Sequence, residues 1–232
     1  MTQPIEVVPA PAATWRDTLA WTMPFAVFLL LLGIGPLLPI GAVAEGGLRV
    51  VILGLVIAKF SWKVLDLRVD NWGGSILLGI GIFGIWIFPD LVFPDYRNHW
   101  LLQNSFTGVV ESSFPESART NSLAILFRAI RAIMIVPVVE ELFWRGWLMR
   151  WLVNSNFTAV RLGQTTVWAF TATALLFASE HGPFWDVGLV AGIGYNWWMM
   201  KTRRLGDLVV AHAVTNACLV GYVLVTGEWQ YL

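Results

Sequence analysis

Long apolar runs separated by short polar breaks dominate this chain, and their lengths fit helices that cross a bilayer. A crossing needs roughly 20 largely apolar residues for about 30 Å of hydrocarbon. Seven stretches qualify: Trp21 to Ala44, Leu48 to Trp62, Trp72 to Phe93, Leu123 to Trp151, Thr165 to His181, Trp185 to Met200 and Leu208 to Thr226. The second is short and carries Lys59, and the fourth is overlong and charged, which brackets the count at six to eight. The predicted fold class is all-α, a polytopic integral membrane bundle. Residues 1–20, with Pro4, Pro9 and Pro11, read as a flexible tail, and residues 21–232 as a single transmembrane domain. No cleavable signal peptide is expected, because a basic n-region is missing and the first apolar run contains Pro24, Pro36 and Pro39. One sizeable polar connection stands out, Pro94 to Asn121.

Composition agrees. Of the 232 residues 57% are hydrophobic and only 13% charged, against about 25% charged in soluble domains. Fifteen basic and fifteen acidic residues cancel, so there is no basic face for nucleic acid. Cys218 is the single cysteine, which excludes an intramolecular disulfide and CxxC chemistry. Lys and Arg mark the cytoplasmic side of short loops. Arg16, Lys63, Arg68, Arg150, Arg161, Lys201, Arg203 and Arg204 fall on the N-terminal side, and Arg49, Arg97 and Arg119 on the other. The expected N-terminus is cytoplasmic. Trp144/Trp147 and Trp197/Trp198 suit either a headgroup belt or packing between helices, while Gly188/Gly192 and Gly81/Gly84 suit close helix approach.

Ionisable residues inside spans are functional candidates by default and should face the bundle interior. Glu140 and Glu141 are adjacent in an apolar helix, hence about 100° apart around its axis. Arg145, four residues after Glu141, can pair with it and leave Glu140 free. His181 ends the next apolar stretch, where a favourable interaction with the helix dipole is the plainer explanation. His212 and Asn216 share one face of the last helix, where an interhelical hydrogen bond is the competing account. Together, one free carboxylate, two His and one Asn form a set able to polarise a water and hold an oxyanion. Amide hydrolysis suits such a set best. No Ser or Cys nucleophile competes.

These residues resemble a known family. Glu140-Glu141-x-x-x-Arg145, Phe177-x-x-x-His181 and His212-x-x-x-Asn216, in that order on separate apolar helices, are similar to the three motifs of the CPBP family of CAAX proteases and bacteriocin-processing enzymes, related to the Rce1-type prenyl-protein endopeptidase. The match spans roughly residues 122–227. The resemblance implies a CAAX-protease-like bundle around a membrane-embedded cavity in a bacterial inner membrane, with a membrane-associated protein or peptide as substrate. In that picture Glu140 activates the water, His181 positions it, and His212 and Asn216 stabilise the oxyanion. Glu141 and Arg145 would support them and Phe177 would shape the pocket. The family also raises zinc, for which Glu140, His181 and His212 would be the ligands. A metal-free glutamate mechanism is favoured, since the three are scattered without HExxH and Asn is a poor zinc ligand. The run from Glu140 to Leu152 is similar to the CAAX prenyl protease-related proteins that accompany exosortase systems. The alternatives are a non-catalytic peptide-binding scaffold of the same fold and a small transporter, though no internal repeat supports the latter.

One tension attends this expectation. Hydropathy puts His181 at the outer end of its span and His212 toward the cytoplasmic side, a mismatch of about 10 Å or more at 1.5 Å per residue. An extension of the fifth helix past Pro183, a kink near Pro137 or a different span count would each remove it.

Overall fold

A computed structural model describes residues 11–232. The first ten residues of the expected tail, including Pro4 and Pro9, lie outside the described residues. Seven helices follow in order: α1 (Trp15–Ile34), α2 (Ala42–Val56, continued by a wide π turn at Ile57–Ser61), α3 (Trp72–Val92), α4 (Ser122–Trp151), α5 (Val167–Ser179), α6 (Trp185–Thr202) and α7 (Leu205–Thr226). Among the described residues there is no strand, only an isolated bridge between Asn104 and Gly108. Helices α1, α3, α4 and α7 are long and apolar enough to cross a membrane by themselves. The architecture is the membrane helical bundle that the hydropathy predicts.

The first boundary differs from expectation. The apolar run from Trp21 to Ala44 is not one helix: α1 starts earlier, at Trp15, and a 3-10 turn at Gly35–Leu37 ends it before α2 begins at Ala42. The early start has a local cause. Thr14 accepts a hydrogen bond from the Asp17 N–H at 3.3 Å while the Asp17 carboxylate accepts one from the Thr14 N–H at 2.8 Å, a reciprocal cap for two otherwise unsatisfied donors. Side chains of Asn71, Asn121 and Thr166 cap α3, α4 and α5 by accepting from N–H groups of the first turn, without the reciprocal bond.

Two polar clusters close the ends of the bundle. At the N-terminal end the buried Asp207 carboxylate accepts from the backbone N–H groups of Asp70 and Asn71 at 3.2 and 2.7 Å and from Ser75 at 3.3 Å, which ties the start of α3 to the start of α7. At the opposite end Arg97, pinned to Asp90 at 2.9 Å and Asp186 at 2.6 Å, fastens the polar connection between α3 and α4 down onto the bundle. Tyr96 donates to Asp186 there at 3.0 Å, and burial together with that carboxylate holds its phenol above the ordinary value.

The small residues divide. On α6, side chains at Gly188 and Gly192 would meet the His181 ring and the Ala174/Phe177 turn of α5, so these two glycines do let helices approach. Gly81 and Gly84 face open space, contrary to expectation. The close contacts on α3 are at Gly74, where an added methyl would run into the Trp198 ring of α6, and at Gly79, where it would meet the Ala211 carbonyl and Val214 of α7. The tryptophans divide similarly. Trp144 and Trp198 are buried and donate to Glu180 and Ser75 at 3.0 and 3.1 Å, whereas Trp197 is exposed.

Candidate active site

Helix α4 carries the two glutamates between two irregular stretches. A π turn spans Arg131–Ile135 ahead of them and a second spans Leu142–Leu148 behind them, an arrangement common where a helix serves a functional site. The first has a covalent cause. Val136 donates to the Arg131 carbonyl five residues back, and in that register the next donor would be Pro137, which has no N–H. The Ala132 carbonyl is thereby left for another partner, and Asn216 of α7 supplies it, its side-chain amide donating at 2.7 Å.

The second glutamate is saturated. Glu141 and Arg145 are both fully buried, and one guanidinium nitrogen lies 3.1 and 3.0 Å from the two carboxylate oxygens. The remaining guanidinium nitrogens donate to the Asn196 side chain at 2.7 Å and the Gly192 carbonyl at 3.3 Å, and the cation sits 4.4 Å from the Phe177 ring centre. Asn196 passes its amide on to the Phe170 carbonyl at 2.9 Å. Glu141 also accepts from His212 Nδ1 at 2.8 Å. Because a carboxylate paired with Arg145 only accepts, the Nδ1 of His212 carries the proton and Nε2 is left for other work.

Glu140 is different. It is 6% exposed, and its Oε2 is buried without any hydrogen-bond partner. It lines a cavity of about 250 Å3 together with Phe177, His181, Tyr195, His212 and Asn216. All four expected catalytic residues thus face one space. His181 donates from Nδ1 to the Phe177 carbonyl at 2.8 Å, which leaves its Nε2 without a backbone bond. Its ring packs against Phe177 and edge-on to Trp86, with centroids 4.7 and 5.2 Å apart. Tyr195 stacks on His212 at 5.0 Å and donates to Thr215 at 2.8 Å, and Thr215 in turn donates to the Gly79 carbonyl at 2.9 Å.

The depth mismatch between the two histidines is resolved by the length of α5. At 13 residues it rises only about 20 Å, and His181, just past its end, lines the same cavity as His212. Tyr195, Asn196 and Glu180 are site neighbours that the sequence reading leaves without a role. A polar Tyr-Asn pair in the apolar α6 was the available signal, masked by the adjacent Trp197/Trp198 pair.

The zinc alternative requires Glu140, His181 and His212 to converge. Among the described residues no three His, Cys, Asp or Glu side chains come together as a set able to hold one ion. The donor geometry does not assemble that ligand set.

Residues 121–218 match the family model for type II CAAX prenyl endopeptidase Rce1-like proteins, a stretch that runs from the cap of α4 into α7 and contains every residue of the three motifs. No curated protein and no solved structure matches the chain. Helices α1 to α3 lie outside the matched stretch. The segment 121–218 is thus similar to the Rce1-like type II CAAX prenyl endopeptidases.

Proposed function

We propose that this chain is an intramembrane endopeptidase that cleaves a peptide bond near the terminus of a membrane-associated protein, with Glu140 as the general base. The observation that carries the proposal is the unbonded Glu140 oxygen, buried at the wall of a cavity shared with His181, His212 and Asn216. Glu140 takes a proton from a water as the water's oxygen attacks the peptide carbonyl, and returns it to the leaving amine. His181, with Nδ1 held by the Phe177 carbonyl, presents Nε2 as an acceptor that orients the water. An oxyanion needs donors. Asn216 keeps a second amide hydrogen beyond the one given to Ala132. His212, with Nδ1 given to Glu141, can donate to the oxyanion from Nε2 once that nitrogen carries a proton. Glu141 and Arg145 are positioning residues in this scheme, and the catalytic core is the segment 122–227 of one membrane domain.

The test is purified Glu140→Gln beside wild type on a panel of peptide and membrane-tethered substrates. Loss of cleavage with an unchanged melting temperature is the expected result; retained cleavage removes Glu140 as base.

The excess of Lys and Arg at the end of the bundle that holds the N-terminus of α1 supports a cytoplasmic N-terminus. The connection between α3 and α4 is then external. A cysteine placed at the exposed Phe106, in a Cys218→Ser background, should react with an impermeant thiol reagent added outside intact cells. Labelling only after lysis would reverse the orientation.

A further inference from the structure

A second cavity, of about 360 Å3, lies between the C-terminal end of α1 and the first turns of α2 and α4. Arg49, Arg128 and Arg131 all line it, and Glu45 is the one acid among its lining residues. Glu45 pairs with Arg49, so two positive charges remain in surplus. Arg128 places one nitrogen 2.6 Å from the Ser113 hydroxyl. Arg131 is 7% exposed and finds no hydrogen-bond or ion-pair partner among the described residues, and Arg49, 9% exposed, keeps a buried Nε without an acceptor.

Buried cations without counterions are costly and call for an anion. Three guanidinium groups exceed what one carboxylate needs, since a single bidentate fork satisfies that group, whereas they match the several oxygens of a phosphate. The cavity lies where α1 ends and α2 and α4 begin, the level at which lipid headgroups sit. Its other walls are apolar, among them Leu38 and Phe127, and at its rim Leu32 and Ile40 are open to the surroundings.

We propose that this cavity binds the phosphate of an anionic membrane lipid, with Arg131 and Arg128 as the principal contacts and the apolar rim taking the start of the acyl chains. Both arginines also line the cavity that holds Glu140, so the bound headgroup forms part of the wall between lipid and catalytic space.

The full chain, stripped of lipid in detergent, is titrated by native mass spectrometry with dioctanoyl phosphatidylglycerol, with dioctanoyl phosphatidylcholine and with inorganic phosphate. Wild type should retain phosphatidylglycerol in preference to the other two, and Arg131→Gln should bind it at least about tenfold more weakly, the loss expected for one charge-assisted hydrogen bond. Arg131→Lys, which keeps charge but not the fork, should fall between. Equal retention by wild type and Arg131→Gln overturns the site. Equal binding of phosphatidylcholine or of inorganic phosphate overturns the anionic lipid as ligand. Displacement of the lipid by a short peptide with a free C-terminal carboxylate, but not by its amide, would reassign the arginines to substrate. The ligand comparison in wild type decides even where Arg131→Gln fails to fold.

Discussion

Glu141 and Glu140 stand side by side on α4 in opposite surroundings. Glu141 gives one oxygen to His212 and both to Arg145, which is itself satisfied by Asn196 and Gly192, so every charge in that network has a bonded neighbour. Glu140, also buried, meets a cavity with one oxygen unbonded. A fully bonded buried group holds the fold together and is costly to change. An unbonded one carries a desolvation cost without a compensating bond, a cost that the proposed role as general base would account for.

Substitutions can break this comparison. The largest effect is expected on activity from Glu140→Gln, a fall of about 10²- to 10⁴-fold in cleavage rate, the range for removing a general base, with the melting temperature unchanged. Joint loss of activity and stability would mean that Glu140 is structural after all. Arg145→Met should do the reverse. It strands the Glu141 carboxylate in the bundle, and unfolding in detergent should become easier by about 3–5 kcal/mol, the cost of halving a buried ion pair. Asn216→Ala tests both sides at once: the Ala132 carbonyl loses its donor, about 1–3 kcal/mol of stability, and kcat should fall more than KM rises if the second amide hydrogen serves the oxyanion. Tyr195→Phe should be mildest. About 1 kcal/mol is lost with the bond to Thr215, which keeps its own bond to the Gly79 carbonyl, and activity should change little because the ring stays over His212.

Much of this architecture is legible in the sequence, because hydropathy and helix length answer to the same bilayer. Where the pattern fails, the reasons are local. The turn at Gly35–Leu37 hides inside an apolar run, and helical periodicity has no term for the π turn ahead of Glu140, which depends on a proline without an N–H and on an amide from another helix. The Glu141–Arg145 pair was readable from spacing alone. The bond from His212 to Glu141 joins residues 71 positions apart and depends on how α4 and α7 pack, which no local pattern encodes. Asp207 looks like a charged helix start and is in fact a buried clasp for α3, since its partners are backbone N–H groups that carry no residue-type signature. Arg128 and Arg131 read in the sequence as charges in an overlong helix, because the cavity they share is completed by residues of α1 and α2.

The shortness of α5 has a consequence for the surrounding lipid. A helix of about 20 Å set in a hydrocarbon layer of about 30 Å obliges the bilayer to thin beside it or the turn after it to sit below the headgroups. Where the bilayer thins, water at the headgroup level reaches the end of α5, and His181 follows directly after that end. A thin bilayer therefore shortens the path of water to the cavity on that flank, and the proposed cleavage should be slower in thicker bilayers than in thin ones.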